Sequence, residues 1–177
     1  MTILVAYATT YGATGGIAEH IARELTAAGH DAEARPAAAV KDVSGCSAVV
    51  VGGAVFAGRW HRDARAFVRR HHAALRARPV WLFSSGPLGT ATHDKDGHDL
   101  VEASRPLDLA KHEQLTGARG STVFFGALDP SRLNPAGRLM MRVPAAREVM
   151  IEGDFRDWPA IGAWARAIAD ELDAPAP

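Results

Sequence analysis

The sequence predicts a three-layer α/β fold, a doubly wound five-stranded parallel sheet with helices on both faces. Three observations predict it. Apolar runs alternate with stretches of helical periodicity along the chain. The run from Ala48 to Gly53 is apolar throughout, as a strand covered on both faces must be. The first run passes through a Thr- and Gly-rich turn directly into a helix.

The elements follow in order. Ile3 to Ala8 is the first strand. Ile17, Ile21 and Leu25 then recur every four residues and give a helix one apolar face, ending near Gly29. His30 to Arg35 mixes polar and small residues as an edge strand does, and Ala37 to Gly45 reads as a short helical or irregular connection. The Val-rich third strand leads to a helix marked by Ala64, Phe67, Val68, His71 and Leu75. Val80 to Ser84 is the fourth strand, and a Gly-, Asp- and His-rich stretch separates it from the fifth, Ser121 to Gly126. In the last helix Asp157 is the cap, Pro159 sits in the first turn, and Ile161, Trp164, Ala165, Ile168 and Leu172 form the stripe. Ala174 to Pro177 reads as a frayed tail. With no linker or repeat in 177 residues, one domain over residues 1–177 is expected.

Composition excludes several classes of function. Twenty basic and twenty acidic side chains balance, which disfavours a nucleic-acid partner. The lone Cys46 allows neither an internal disulfide nor a cysteine metal cluster and, in its apolar context, reads as an inert thiol. A start directly in a strand and the lack of an apolar run of about 20 residues make the expected location cytoplasmic.

Sites in doubly wound sheets lie beyond the carboxyl ends of the strands, so three loops are expected to converge. The first is Thr9, Thr10, Tyr11, Gly12, Ala13 and Thr14. Its hydroxyls, its flexible glycine and the unpaired N–H groups of the following helix suit a terminal phosphate. No lysine or arginine lies within it, so binding is expected to rest on N–H groups, hydroxyls and the helix dipole, which favours a mononucleotide over a triphosphate. The second contains Ala54, Val55, Phe56, Ala57, Gly58 and Trp60, where Trp60 offers either a flat surface to a ligand or a core contact. The third, Ser85, Gly86, Pro87, Leu88 and Gly89, offers N–H groups on a rigid turn. A phosphate at one end and a flat ring at the other point to flavin mononucleotide (FMN).

No side chain stands out as a general acid or base. Ala8 and Thr9 leave no acidic pair for a phosphoryl-accepting receiver, and neither a G-x-S-x-G elbow nor a G-x-G-x-x-G dinucleotide fingerprint is present. His93 and His98 share residues 92–99 with Asp94, Asp96 and Asp99, but the spacing fits no compact metal-ligand set, and a cover over the ligand is the expected role. Between Asp129 and Val149, Arg132, Arg138 and Arg142 alternate with Leu133, Leu139, Met140, Met141 and Val143. Two readings stand: an amphipathic helix packing Leu139, Met140 and Val143 into the core, or a surface from Arg132 to Val143 that touches a membrane or partner.

Thr9, Tyr11, Gly12 and Thr14 match the T-x-[TY]-G-x-T pattern of the flavodoxin-like family, which this chain resembles. Within it the sequence is most similar to the menaquinone-dependent protoporphyrinogen oxidase type. The matching segments are Gly52-Gly53-Ala54-Val55-Phe56-Ala57-Gly58-Arg59-Trp60-His61, Phe125-Gly126-Ala127-Leu128 and Asp154-Phe155-Arg156-Asp157-Trp158. The resemblance implies FMN held by the three loops and redox chemistry at its isoalloxazine ring. Either a small reduced substrate such as a porphyrinogen passes electrons to a quinone, or the protein is an electron carrier serving a redox partner. A phosphate-ligand or interaction module without flavin is the remaining alternative.

Overall fold

A computed structural model describes residues 1–93, 96–147 and 149–175. Five parallel strands form the sheet: β1 (Thr2–Ala8), β2 (Ala32–Pro36), β3 (Cys46–Phe56), β5 (Val80–Ser85) and β6 (Gly120–Phe124), in the order β2-β1-β3-β5-β6. A two-residue strand β4 (Arg59–Trp60) folds back antiparallel on the end of β3. The chain runs outward from β1 to the edge strand β2 and returns on the other side of β1 as β3, so the strand order reverses between β1 and β3. That reversal opens a crevice at the carboxyl ends of these strands.

Helices α1 (Ala13–Ala27) and α7 (Trp158–Asp173) cover one face of the sheet, and α2 (Arg62–Arg76) and α4 (Leu109–Thr116) the other. Alternation along the strands supplies both cores. Ile3, Val5, Ala48, Val50, Trp81 and Phe83 meet Ile17, Ile21, Leu25, Ile161 and Ile168 on one side. Leu4, Ala6, Val49, Val51, Val80 and Leu82 meet Phe67, Val68, Leu75 and Leu109 on the other. The caps are as expected at α7, where Asp157 accepts from the Ala160 N–H at 2.9 Å.

Two elements between β5 and β6 lack the periodicity that marks the longer helices: α3 (Leu100–Ala103) and α4. Only Leu109, His112 and Thr116 of α4 are buried, too few apolar positions to form a stripe. The segment after β6 is also more elaborate than a single helix. A two-stranded ribbon pairs β7 (Ala127–Leu128) with β8 (Gly153–Asp154), and between them lie a 3₁₀ turn at Pro130–Arg132, α5 (Pro135–Met140) and α6 (Pro144–Arg147). Leu133 and Gly137 are buried there, whereas Leu139, Met140 and Val143 are 62%, 42% and 51% exposed. The core-packing reading of those three side chains is therefore corrected. Two short helices, each begun by a proline, cannot keep one continuous face turned inward. Of the expected tail, Ala176 and Pro177 lie outside the described residues.

Candidate functional site

The register brings the three loops to one level. Ala8 pairs with Gly53, Gly53 with Ser84, and Ala54 with Ser85. Residues 9–14, 54–60 and 85–89 therefore lie side by side at the carboxyl ends of β1, β3 and β5.

The first loop has an unfilled hydrogen-bonding capacity. Gly12 caps α1 in the left-handed region at φ 95°, and no side chain caps the helix. The Gly12 N–H donates to Thr9 Oγ1 at 3.0 Å, and the Gly16 N–H to the Gly12 carbonyl at 3.1 Å. Thr14 is not the cap but a residue of the first turn. It is 1% exposed, and its hydroxyl has no hydrogen-bond partner among the described residues. A buried orphan hydroxyl costs about 1–3 kcal/mol, and this one lies beside an uncapped helix start.

Charge reaches this loop from the far end of the chain, which the loop's own sequence gave no sign of. A Cβ on Gly12 would stand 2.5 Å from Arg132 Nη1, and one on Gly16 would stand 2.6 Å from Arg156 Nη1. Gly137 of α5 packs equally close to the Tyr11 hydroxyl. Arg156 is committed internally. It forms two bonds to Asp154 at 2.6 and 2.7 Å, lies over the Trp158 ring at 4.4 Å, and bonds the Ala13 carbonyl at 3.4 Å. The same contact holds the Asp154 carboxyl below its ordinary pKa. Between α1 and the β7–β8 ribbon runs a cleft of about 720 Å³ bordered by Tyr7, Gly12, Glu19, Asp129, Arg132 and Glu152.

The second loop is a hairpin. Val55 pairs with Trp60 and Phe56 with Arg59, leaving a two-residue turn of Ala57 (φ 49°) and Gly58 (φ 71°). Positive φ at both positions is the turn that matches strand twist, although Ala57 adopts it against its own preference. The aromatic group that this loop exposes is Phe56, at 66%. The Gly58 carbonyl accepts from the N–H of Leu107, a residue 83% exposed beside the turn.

Trp60 is 1% exposed and offers no face to a ligand, which corrects the expectation of a flat ligand surface there. It lies against Gly53, where a Cβ would come within 3.0 Å of its ring, while Phe83 crosses Gly52 on the opposite face of the sheet. Its Nε1 donates to Ser84 Oγ at 2.9 Å, its ring stacks on His112 at 5.3 Å, and its backbone N–H donates to Asp108 at 3.2 Å. His112 Nε2 stands 3.4 Å from Asp108 Oδ2 without hydrogen-bond alignment, and burial outweighs that carboxylate, pushing the imidazole below its usual range. Trp60 thus anchors the hairpin. The residue that would have betrayed this is Gly53, whose missing side chain leaves room for an indole.

In the third loop the Gly86 N–H is taken by the Phe124 carbonyl at 3.1 Å, so it is not free for a ligand as expected. Gly126 in turn donates to the Pro87 carbonyl at 2.9 Å, which locks the loop to the end of β6. Gly89 has φ 101°, and a Cβ there would stand 3.0 Å from Ile151 Cδ1.

Elsewhere, Asp99 caps α3 by accepting from Val101 and Glu102, and no metal-binding group of three or more His, Cys, Asp or Glu forms among the described residues. Asp94 lies outside them. Cys46 is half-buried, and burial raises its thiol pKa, away from nucleophilic use. No helix among the described residues is long and apolar enough to cross a membrane.

Comparison with known proteins agrees with this architecture. The family described as Flavodoxin domain matches residues 4–149. No curated protein matches the chain. Among solved structures, a flavodoxin from the domain Archaea is 18% identical with a TM-score of 0.62, covering 98% of this chain and 100% of that one. Oxidised Flavodoxin 2 from Bacillus cereus is 18% identical with a TM-score of 0.59, covering 97% and 99%. Rubredoxin oxygen:oxidoreductase from Desulfovibrio gigas is 13% identical with a TM-score of 0.61; the match covers 97% of this chain and 36% of that longer one. At such identities these structures share its fold.

Proposed function

The chain belongs to the flavodoxin-domain family, and from that premise we propose that it is an FMN-binding redox protein, residues 1–177 acting as one unit. The observation that carries the reading is the buried, unpartnered Thr14 hydroxyl beside the uncapped start of α1. The donor set fits a phosphate: first-turn N–H groups, Thr9, Thr10 and Thr14, on a glycine that lets the backbone approach closely. Ala54, Val55, Phe56, Ala57 and Gly58 would hold the ring on one side, and Ser85, Gly86, Pro87, Leu88 and Gly89 on the other. Trp60 acts by positioning the hairpin. When bound, FMN supplies one- and two-electron transfer, and the protein orients it and limits water around it.

The test is the absorbance spectrum of the purified protein before and after incubation with excess FMN and gel filtration. Stoichiometric flavin bands are the expected result, and Gly12→Asp, which places a carboxylate where the phosphate would sit, should abolish them. A protein that stays colourless would move the reading to a non-flavin phosphate ligand or an interaction module.

Two uses of that flavin are distinguishable. The segments Gly52 to His61, Phe125 to Leu128 and Asp154 to Trp158 favour an oxidoreductase of the protoporphyrinogen oxidase type, taking electrons from a porphyrinogen-type substrate to a quinone. Exposed Phe56 and Leu107 beside the expected ring site favour instead a carrier docking on a redox partner protein. Turnover of a porphyrinogen with a quinone acceptor supports the first; electron exchange only with a partner protein supports the second. The surface from Arg132 to Val143, with Leu139 and Met140 exposed next to Arg138 and Arg142, suits contact with an anionic membrane. Flotation with anionic liposomes should be lost on joint Leu139→Ser and Met140→Ser substitution.

A further inference from the structure

We propose that Arg132 is the phosphate-pairing cation of this site, delivered to the first loop by the lobe between β7 and β8. The proposal rests on the FMN reading above and adds to it a residue that the loop itself does not contain. Four features support it.

The first is proximity. Arg132 Nη1 occupies the space directly over Gly12, the residue from which the first-turn N–H groups fan out. The second is the way it is held. Asp129 caps the turn before it, accepting from the Ser131 N–H at 2.9 Å, and Asn134 caps α5 after it, accepting from the Gly137 N–H at 2.8 Å. Leu133 is buried between the two caps, and Gly137 sits against the Tyr11 hydroxyl. The turn carrying Arg132 is therefore capped on both sides and rests against the first loop through Gly137 and Tyr11.

Availability is the third. The ion pair of Arg132 to Asp129 measures 3.7 Å with both side chains more than half exposed, a contact of little strength. Arg156, the other guanidinium at the loop, is only 17% exposed and doubly bonded to Asp154. The fourth is electrostatic need. Glu19, Asp129 and Glu152 border the same cleft, where Asp154 is already paired with Arg156, and a phosphate beside them held by N–H groups alone would face net negative charge. A guanidinium that swings from a weak surface pair onto a phosphate gains a charge-assisted hydrogen bond and relieves that repulsion.

The experiment compares binding of FMN and of riboflavin, which lacks the phosphate, by fluorescence quenching across a range of salt concentrations. For Arg132→Ala, FMN affinity should fall about ten- to a hundredfold. Riboflavin affinity should be unchanged, and the salt dependence of FMN binding should flatten. Arg132→Lys should recover part of the loss, and Arg70→Ala, at an exposed arginine of α2 on the opposite face of the sheet, should keep wild-type FMN affinity. Wild-type FMN affinity and salt dependence in Arg132→Ala would overturn the proposal while leaving the FMN reading intact. A wild-type protein that binds neither flavin would overturn the FMN reading itself, and the role of Arg132 with it.

Discussion

The loops after β1 and β3 leave the sheet at adjacent positions, yet one is chemically open and the other closed. The first keeps a buried hydroxyl without a partner, an uncapped helix start and a guanidinium in a weak surface pair. In the second, both N–H groups of Trp60 are engaged, by Ser84 and Asp108, and its ring is stacked and buried. The difference teaches that stability and ligand capacity are divided between neighbouring loops. The hairpin after β3 is held by the core, whereas the β1 loop keeps a hydroxyl and a helix start that have no side-chain partner among the described residues.

The largest effect should come from breaking the closed loop. Trp60→Ala removes an indole from between β3 and α4 and should cost about 3–5 kcal/mol in chemical denaturation. A loss under about 1 kcal/mol would mean that the hairpin does not depend on its anchor. Gly12→Asp acts on the open loop and should lower FMN affinity at least about a hundredfold. It leaves both cores untouched, so circular dichroism should remain that of the wild type.

Thr14→Val sharpens the contrast further, because the two loops should respond with opposite signs. Deleting an unsatisfied hydroxyl should raise the stability of the flavin-free protein by about 1 kcal/mol while weakening FMN about tenfold. A loss of stability instead would show that the hydroxyl has a partner within the fold.

pH probes the closed side. Burial depresses His112, and also His71 beside Phe67. As pH falls through the ordinary imidazole value of about 6.5, the unfolded state takes up protons that the folded state refuses. Thermal stability should therefore drop with falling pH in this window, and His112→Gln should reduce the slope. The smallest change is Ala57→Gly, which relieves the left-handed turn and should add about 0.5–1 kcal/mol after the greater freedom of the unfolded chain is subtracted.

The strands and long helices were legible because each carries its own period. Val49, Val50 and Val51 announce a doubly covered strand, and Ile17, Ile21 and Leu25 a helix face. The turn of the first loop was legible as well, since the left-handed backbone of Gly12 at the start of α1 depends on neighbours within a few residues. What escaped is whatever depends on distant partners. α4 has too few buried positions to show a stripe, β7 and β8 are two residues each, and Trp60 turns inward only because the hairpin returns it beside Gly53. Arg132 and Arg156 meet the first turn of α1 through the chain's last third, a proximity that no local pattern encodes.

The β7–β8 ribbon has a separate consequence. By pairing Ala127 with Asp154 and Leu128 with Gly153, it ties the two ends of the intervening excursion together before the chain continues into α7. The excursion that carries the Pro130–Arg132 turn and α5 is thus closed at its base, so the entropy of closing it is met by the ribbon and not by the central sheet.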